Sequence, residues 1–210
     1  MTILEKIFNS IVEGKVEDTA ACVEEGLKAG IDVDEILKKG LLAAMDLVGV
    51  KFGDGEFFIP QVVWSAKAMQ AGMNFLKPHF TESHQTDRAR IIIGTAEGDI
   101  HDIGKKLVAM MLEGAGFEVI DLGVDVKPET FIDKAAETNA DIIAISALLT
   151  TTMTSMADVV ALRNERALST AKIIIGGAPL SLEYCREIGA DGYGVDAGEA
   201  VTIVKELLGL

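Results

Sequence analysis

Asp99 and His101 stand two residues apart in the stretch Gly94-Thr-Ala-Glu-Gly-Asp-Ile-His-Asp-Ile-Gly104. In extended backbone that spacing projects both side chains the same way. The carboxylate can then approach the imidazole, or the two can act together on one ligand. A histidine that gives one ring nitrogen to a metal usually donates the other N–H to a carboxylate or carbonyl. That partner fixes the tautomer and makes the ligand more basic. The bland alternative for the same triplet is a polar helix N-terminus. The loop follows an apolar run, 90–94, and leads into an amphipathic run, 105–113. This is the strand–loop–helix layout of a ligand-binding α/β unit.

The elements that position the loop follow from patterning. Over 2–80 the apolar residues recur at helical spacing. Ile3, Leu4, Ile7, Phe8 and Ile11 open a first helix that Gly14 ends; a second runs over 17–29, with Gly30 as its stop. Asp32 or Asp34 can cap a third helix over 35–50. Pro60 suits the first turn of a fourth over 61–76. Four helices with short connections predict a small antiparallel bundle over 1–80. The polar segment 81–89 reads as a linker, and His79 and His84, in or beside it, read as solvated.

From Arg90 onward, short Ile/Val runs alternate with amphipathic ones. Continuous apolar runs are expected of a parallel sheet covered on both faces. Strands are expected at 91–93, 117–122, 141–146, 172–175 and, weakly, 192–195, with helices after each. Five such units predict a doubly wound, flavodoxin- or Rossmann-like sheet over 90–210, in the order 2-1-3-4-5. Its ligand crevice would lie at the carboxyl ends of strands one and three. Three stretches meet on that rim: the Asp99–His101 loop, Ser146-Ala-Leu148-Leu-Thr150-Thr-Thr152, and Gly176-Gly177-Ala178-Pro179. Hydroxyls, an apolar wall and a glycine pair that admits close approach suit a long ligand of mixed polarity. Alone, the glycine pair is an ordinary turn and the threonines a helix cap; together they argue for a site.

Composition excludes other classes. The chain has 210 residues, 49% hydrophobic, with net charge −14, and shows no basic stripe for nucleic acid. Cys22 and Cys185 are far apart and unpaired by motif, which predicts a reduced, cytoplasmic setting. The N-terminus has no signal-peptide pattern and no apolar run is long enough to cross a membrane. The loops fit neither phosphate-binding glycine motif, and three dispersed His with two Cys do not make a zinc site.

The ordered motifs resemble the cobalamin-binding module shared by methionine synthase and the corrinoid proteins of methanogen and acetogen methyltransferase systems. Asp99-Ile100-His101-Asp102-Ile103-Gly104 matches Asp-x-His-x-x-Gly. Ser146-Ala-Leu148 matches Ser-x-Leu, with Ala147 where glycine is common, and Gly176-Gly177 matches the Gly-Gly motif. Met45-Asp-Leu-Val-Gly49, Phe52, Gly55-Glu-Phe-Phe-Ile-Pro-Gln61 and Ser65-Ala66 look like the helical cap segment. The stretch 147–153 resembles the methylamine, methanol and methoxyl-type carriers more than methionine synthase.

The resemblance implies base-off/His-on binding of a cobalamin or related cobamide. His101 would be the lower axial ligand of cobalt, Asp99 would hold its other nitrogen, and Thr152 would continue the relay where the family often has serine. The displaced tail would bury itself among Ser146, Leu148, Gly176 and Gly177, with Thr150 and Ala178 among the further cofactor-binding residues. Phe57, Phe58, Ile59, Val62 and Val63, which by themselves read as a plug for the bundle end, would form a lid. The implied function is a methyl carrier. Its partners would be a substrate-specific methyltransferase, a second methyltransferase to a pterin or thiol acceptor, and a reductive activator. The alternative is the cobalamin-binding subunit of an adenosylcobalamin-dependent mutase, against which the helical cap argues.

Overall fold

The computed structural model describes residues 1–79, 89–168 and 170–210. Apart from Ala89, the linker expected at 81–89 lies outside the described residues, as does His84. The chain divides into two compact units, one built on the N-terminal helices and one on Ala89–Leu112 with Phe117–Leu210.

The helical unit contains α1 (Ile3–Val12), α2 (Val16–Lys28), α3 (residues 33–53) and α4 (Ile59–Leu76). Thr2 caps α1 and forms a reciprocal pair with Glu5. Asp32 caps α3, its carboxylate accepting from the amides of Asp34 and Glu35. Pro60 sits in the first turn of α4, as its fixed φ favours. Gly14 turns the chain at φ +68°, and a Cβ there would meet the Trp64 Cβ at 2.7 Å. Ile7, Ile11, Val23, Ile36, Leu41 and Val48 are fully buried.

One helix departs from expectation. α3 joins Val33–Glu35 and Ala43–Gly53 through a π-helical stretch, Ile36–Leu42. Here a Cβ on Gly40 would stand 3.0 Å from Ile7 Cγ2, so glycine permits the close approach of α1. Apolar spacing over seven residues does not separate an α turn from a π turn.

The second unit is a five-stranded parallel sheet: β1 (Arg90–Thr95), β2 (Glu118–Asp121), β3 (Ile142–Ser146), β4 (Lys172–Gly176) and β5 (Gly192–Gly194). Its order is β2-β1-β3-β4-β5, as the alternating pattern predicts. The connecting helices are α5 (Ile103–Gly114), α6 (Pro128–Thr138), α7 (Thr154–Glu165) and α8 (Leu182–Ile188), and α9 (Ala197–Leu208) closes the unit. Period-two alternation sends Ile92, Ile143, Ile145, Ile173 and Ile175 to the face where Phe131, Ile132, Val159, Val160 and Cys185 from α6, α7 and α8 pack. Each buried isoleucine contributes roughly 1.5–3 kcal/mol. Ile174 points the other way, and a Cβ on Gly192 would meet both Ile174 and Ile203 of α9. Helices on both faces explain why the strands read as unbroken apolar runs.

The register sets the height of the rim. Thr95 pairs with Ser146, Ser146 with Gly176, and Gly176 with Gly194. Four adjacent strands therefore end on one level in small side chains. Among the described residues, no helix is long and apolar enough to cross a membrane.

Candidate functional site

The loop after β1 is drawn across the sheet end by backbone bonds. The Ala96 amide donates to the Ser146 carbonyl at 2.9 Å, and the Asp99 amide to the Ala96 carbonyl at 3.0 Å. These turns bury Asp99 completely while leaving the His101 side chain 49% exposed. The two residues thus face different surroundings, yet Asp99 Oδ1 lies 2.7 Å from His101 Nδ1. The His101 amide also donates to that oxygen, at 2.9 Å. The local bond forces the ring to turn one nitrogen inward to the carboxylate and the other outward.

Asp99 Oδ2 is gripped from β3's loop. It accepts from the Leu148 amide at 2.7 Å, the Leu149 amide at 3.4 Å and the Thr152 hydroxyl at 3.1 Å. Burial pushes the Asp99 carboxyl up. The bonds from the His101 amide, the Leu148 amide, the His101 ring and the Thr152 hydroxyl outweigh it and hold the group well below the ordinary carboxylate range. Asp99 is therefore a fixed anion, and as an acceptor it takes the N–H of His101 Nδ1. In a neutral imidazole that tautomer puts the lone pair on Nε2.

The Thr152 hydroxyl also lies 2.9 Å from the Leu149 carbonyl, so its single proton serves one acceptor at a time. Thr152→Val keeps the shape and removes the donor to a buried charge. We expect it to lower the stability of the cofactor-free protein by about 2 kcal/mol, and Thr152→Ser to restore most of that. Denaturant melts check this; equal melts for the Val variant and the wild type would remove Thr152 from the network.

The other residues singled out from sequence lie around this pair. Ile100 and Ile103 flank His101 and are 74% and 77% exposed, a rare state for side chains of that size. Leu148 and Leu149 also expose apolar surface beside it. Leu148 was expected to act through its side chain as a wall; its backbone amide is equally engaged. Asp102 pairs with Lys106 one helical turn on. Gly104 is exposed, and a Cβ there would meet nothing within 4 Å. Ser146, Gly176 and Gly177 are half-buried, and Thr150 and Ala178 are exposed. In the helical unit Phe58 and Ile59 are exposed, Phe57 and Val63 half-buried, and Val62 fully buried.

Three supports were not read from the sequence. The Thr95 hydroxyl, fully buried, donates to the His101 carbonyl at 3.0 Å. Buried Lys105 pairs with Asp121, whose carboxylate also accepts the Gly123 amide at 2.8 Å. Asp125 bonds the Gly98 amide and the Asp99 carbonyl. The signal that could have found the last two is the loop after β2, Asp121-Leu-Gly-Val-Asp125, which lies beside β1 in a 2-1-3-4-5 sheet.

These residues fit a corrinoid. Among the described residues no three His, Cys, Asp or Glu cluster as a protein-only metal site. A single oriented imidazole suits a metal whose remaining ligands come with a macrocycle. The exposed Ile100, Ile103 and Leu148 suit an apolar ring face, and the row of small residues at the strand ends suits a buried tail.

Comparison with known proteins agrees. Two models of the B12 binding domain match the chain, one over residues 89–203 and one over 3–77. Dimethylamine corrinoid protein 1 of Methanosarcina acetivorans is 44% identical over 208 residues, covering 98% of this chain and 97% of that protein. The crystal structure of a cobalamin-binding protein from Desulfitobacterium hafniense DCB-2 superposes with a TM-score of 0.81 at 33% identity, covering 97% of this chain and 98% of the other. The methanol:cobalamin methyltransferase complex of Methanosarcina barkeri contains a chain that superposes with a TM-score of 0.86 at 27% identity, covering 99% of this chain and 80% of that one. The protein therefore belongs to the B12-binding corrinoid proteins of methylamine and methanol methyltransferase systems.

Proposed function

We propose that this protein is a methyl carrier that binds a cobamide base-off/His-on, with His101 as the lower axial ligand of cobalt. The observation that carries the reading is the His101 ring held at Nδ1 by a buried Asp99 while about half of its side chain stays exposed, in a loop whose Ile100 and Ile103 are exposed as well. When bound, the corrinoid supplies the cobalt that accepts and gives up the methyl group. The chain supplies orientation and electrostatics. Asp99 fixes the tautomer and makes Nε2 more basic. Leu148, Leu149 and Thr152 fix Asp99 and keep its charge in place. Thr152 extends this network outward from Asp99, so that the orientation of the imidazole is tied to the loop after β3.

We assign the tail of the cobamide to Ser146, Leu148, Gly176 and Gly177, with Thr150 and Ala178 among the further cofactor-binding residues. Phe57, Phe58, Ile59, Val62 and Val63 are assigned as the lid of the ring; Phe58 and Ile59 are exposed and Val62 is buried. The resemblance to methylamine and methanol corrinoid proteins supports a substrate-specific methyltransferase as donor partner and a second methyltransferase to a pterin or thiol as acceptor partner. A reductive activator would restore cobalt after accidental oxidation.

The test is the absorption spectrum of the protein loaded with cobalamin, beside that of His101→Ala. We expect the wild type to show a nitrogen-ligated cofactor with its own tail displaced, and the variant to bind cobalamin at least tenfold more weakly with no axial nitrogen. Identical spectra would remove His101 as ligand. A wild type that takes up no corrinoid would end the carrier reading.

A further inference from the structure

The loop that carries Asp99 and His101 is gripped by a second loop, between β2 and α6, and Asp125 is the residue that grips it. The Asp125 amide donates to the Asp99 carbonyl at 2.9 Å. Its Oδ1 accepts from the Gly98 amide at 2.7 Å. The bonds run in opposite directions and bracket the Gly98–Asp99 pair. Asp99 has its own amide tied to Ala96, so its backbone is fixed on both sides. Around the grip, Thr95 donates to the Gly123 carbonyl at 3.1 Å, Val126 donates to Thr95, and Ala96 and Val126 form a parallel bridge.

The backbone at Asp125 is also unusual. Among the described residues three non-glycine residues have positive φ: Asp125 at 53°, Asn139 and Ala167. Asn139 caps α6 and Ala167 follows the end of α7, where a left-handed residue commonly stops a helix. Asp125 ends no helix, and it is exposed, so no core packing imposes its conformation. Such strain persists only where surrounding bonds over-determine it. Here those bonds are the two to the Asp99 loop.

We propose that Asp125 is a positioning residue for His101. It sets the height of the Asp99 backbone, and through the Asp99–Nδ1 bond it sets where Nε2 points above the strand ends. It touches neither the imidazole nor any group assigned to the ligand. The cobalt readout below rests on the methyl-carrier reading; the second readout does not.

Three substitutions separate the parts. Asp125→Asn keeps an acceptor oxygen and tolerates positive φ. Asp125→Gly keeps the φ and the amide but loses the acceptor. Asp125→Ala loses the acceptor and resists the φ. In cobalamin-loaded protein we expect the ratio of His-ligated to unligated cofactor to fall about fivefold in Asp125→Gly, the worth of one hydrogen bond. It should fall further in Asp125→Ala and stay near wild type in Asp125→Asn. In cofactor-free protein labelled with ¹⁵N-histidine, the Nδ1–H signal of His101, assigned by its loss in His101→Ala among three histidines, should be protected from exchange in the wild type and Asn variant and lost in the Gly variant. Should Asp125→Gly lower the melting temperature yet keep both the ligation ratio and the Nδ1–H signal, Asp125 is only a structural tie and the proposal is overturned. If the wild type takes up no cobalamin, the carrier reading fails, and the Nδ1–H signal alone decides the role of Asp125.

Discussion

Asp99→Asn should cost the cofactor-free protein about 3 kcal/mol and detach the axial imidazole in the loaded one. The carboxylate accepts from donors on two sides: the His101 amide and ring at Oδ1, and the Leu148 amide, Leu149 amide and Thr152 hydroxyl at Oδ2. An asparagine of the same shape brings one acceptor oxygen and two N–H donors. Whichever way the amide turns, its NH₂ faces groups that are themselves donors. Hydrogen bonds to charge contribute about 1.5–3 kcal/mol each, and a buried donor left without a partner costs about 1–3 kcal/mol. The loss should appear as a melting temperature lower by about 6–12 °C, given roughly 2–4 °C per kcal/mol for a chain of this size. If the amide turns its NH₂ to His101, Nδ1 must become the acceptor and Nε2 the protonated atom. That tautomer has no lone pair to offer a metal. The ligation spectrum should then resemble that of His101→Ala although the imidazole is still present. A variant that melts within about 1 °C of wild type, with its axial nitrogen intact, would show that Asp99 neither stabilises the loop nor selects the tautomer.

The difference between what the sequence disclosed and what it hid follows from which atoms do the work. The strand order was legible because a sheet covered on both faces demands unbroken apolar runs such as Ile91-Ile-Ile93 and Ile173-Ile-Ile175, and these stand out against the amphipathic helices. Asp99 and His101 were legible because their contact is local and between side chains. The grip on Asp99 Oδ2 was not, since two of its three donors are backbone amides, at Leu148 and Leu149. Any residue except proline carries that donor, so the sequence has no mark for it. Asp125 was hidden for another reason. Its partners lie 26 and 27 residues earlier, and the contact exists only because β2 lies at the edge beside β1. The loop after β2 carries no side-chain pair of its own that marks it as part of the site. Val62 and Phe58 differ in exposure for a reason that spacing does not carry: Phe58 is the extended N-cap residue before α4 and stays exposed, whereas Val62 lies inside the helix and is buried. The π-helical stretch in α3 had no signal, because apolar spacing tolerates one widened turn.

Gly177→Ala and Gly104→Ala should fail in opposite ways, and the contrast separates scaffold from ligand. Gly177 has φ +136°, outside the regions an L side chain adopts readily. A Cβ there would stand 1.8 Å from the Ala147 carbonyl oxygen and 2.9 Å from its carbon. The obstacle is backbone, so no rotamer relieves it. The chain must push the end of β4 away from the turn after β3, where Ala147 donates to the Gly176 carbonyl at 3.2 Å. That turn also presents the Leu148 amide to Asp99, so displacement there reaches the site. Strained backbone of this kind costs about 1–3 kcal/mol, and overpacking adds a further 1–3 kcal/mol. We expect Gly177→Ala to lose about 4 kcal/mol in the absence of any cofactor, measured by denaturant unfolding. Gly104 lies in the first turn of α5 with open space around its would-be Cβ. Alanine is a better helix former there by up to about 1 kcal/mol, so the cofactor-free Gly104→Ala protein should melt at or slightly above wild type. If a corrin ring lies against this turn, the added methyl intrudes on it, and cobalamin uptake should weaken by about tenfold while stability holds. Unchanged uptake by Gly104→Ala would mean that nothing lies close over α5, and the ring would have to be seated elsewhere on the rim. A Gly177→Ala protein as stable as wild type would mean that the ends of β3 and β4 yield without cost, and the small-residue row at the strand ends would lose its claim to be a built crevice.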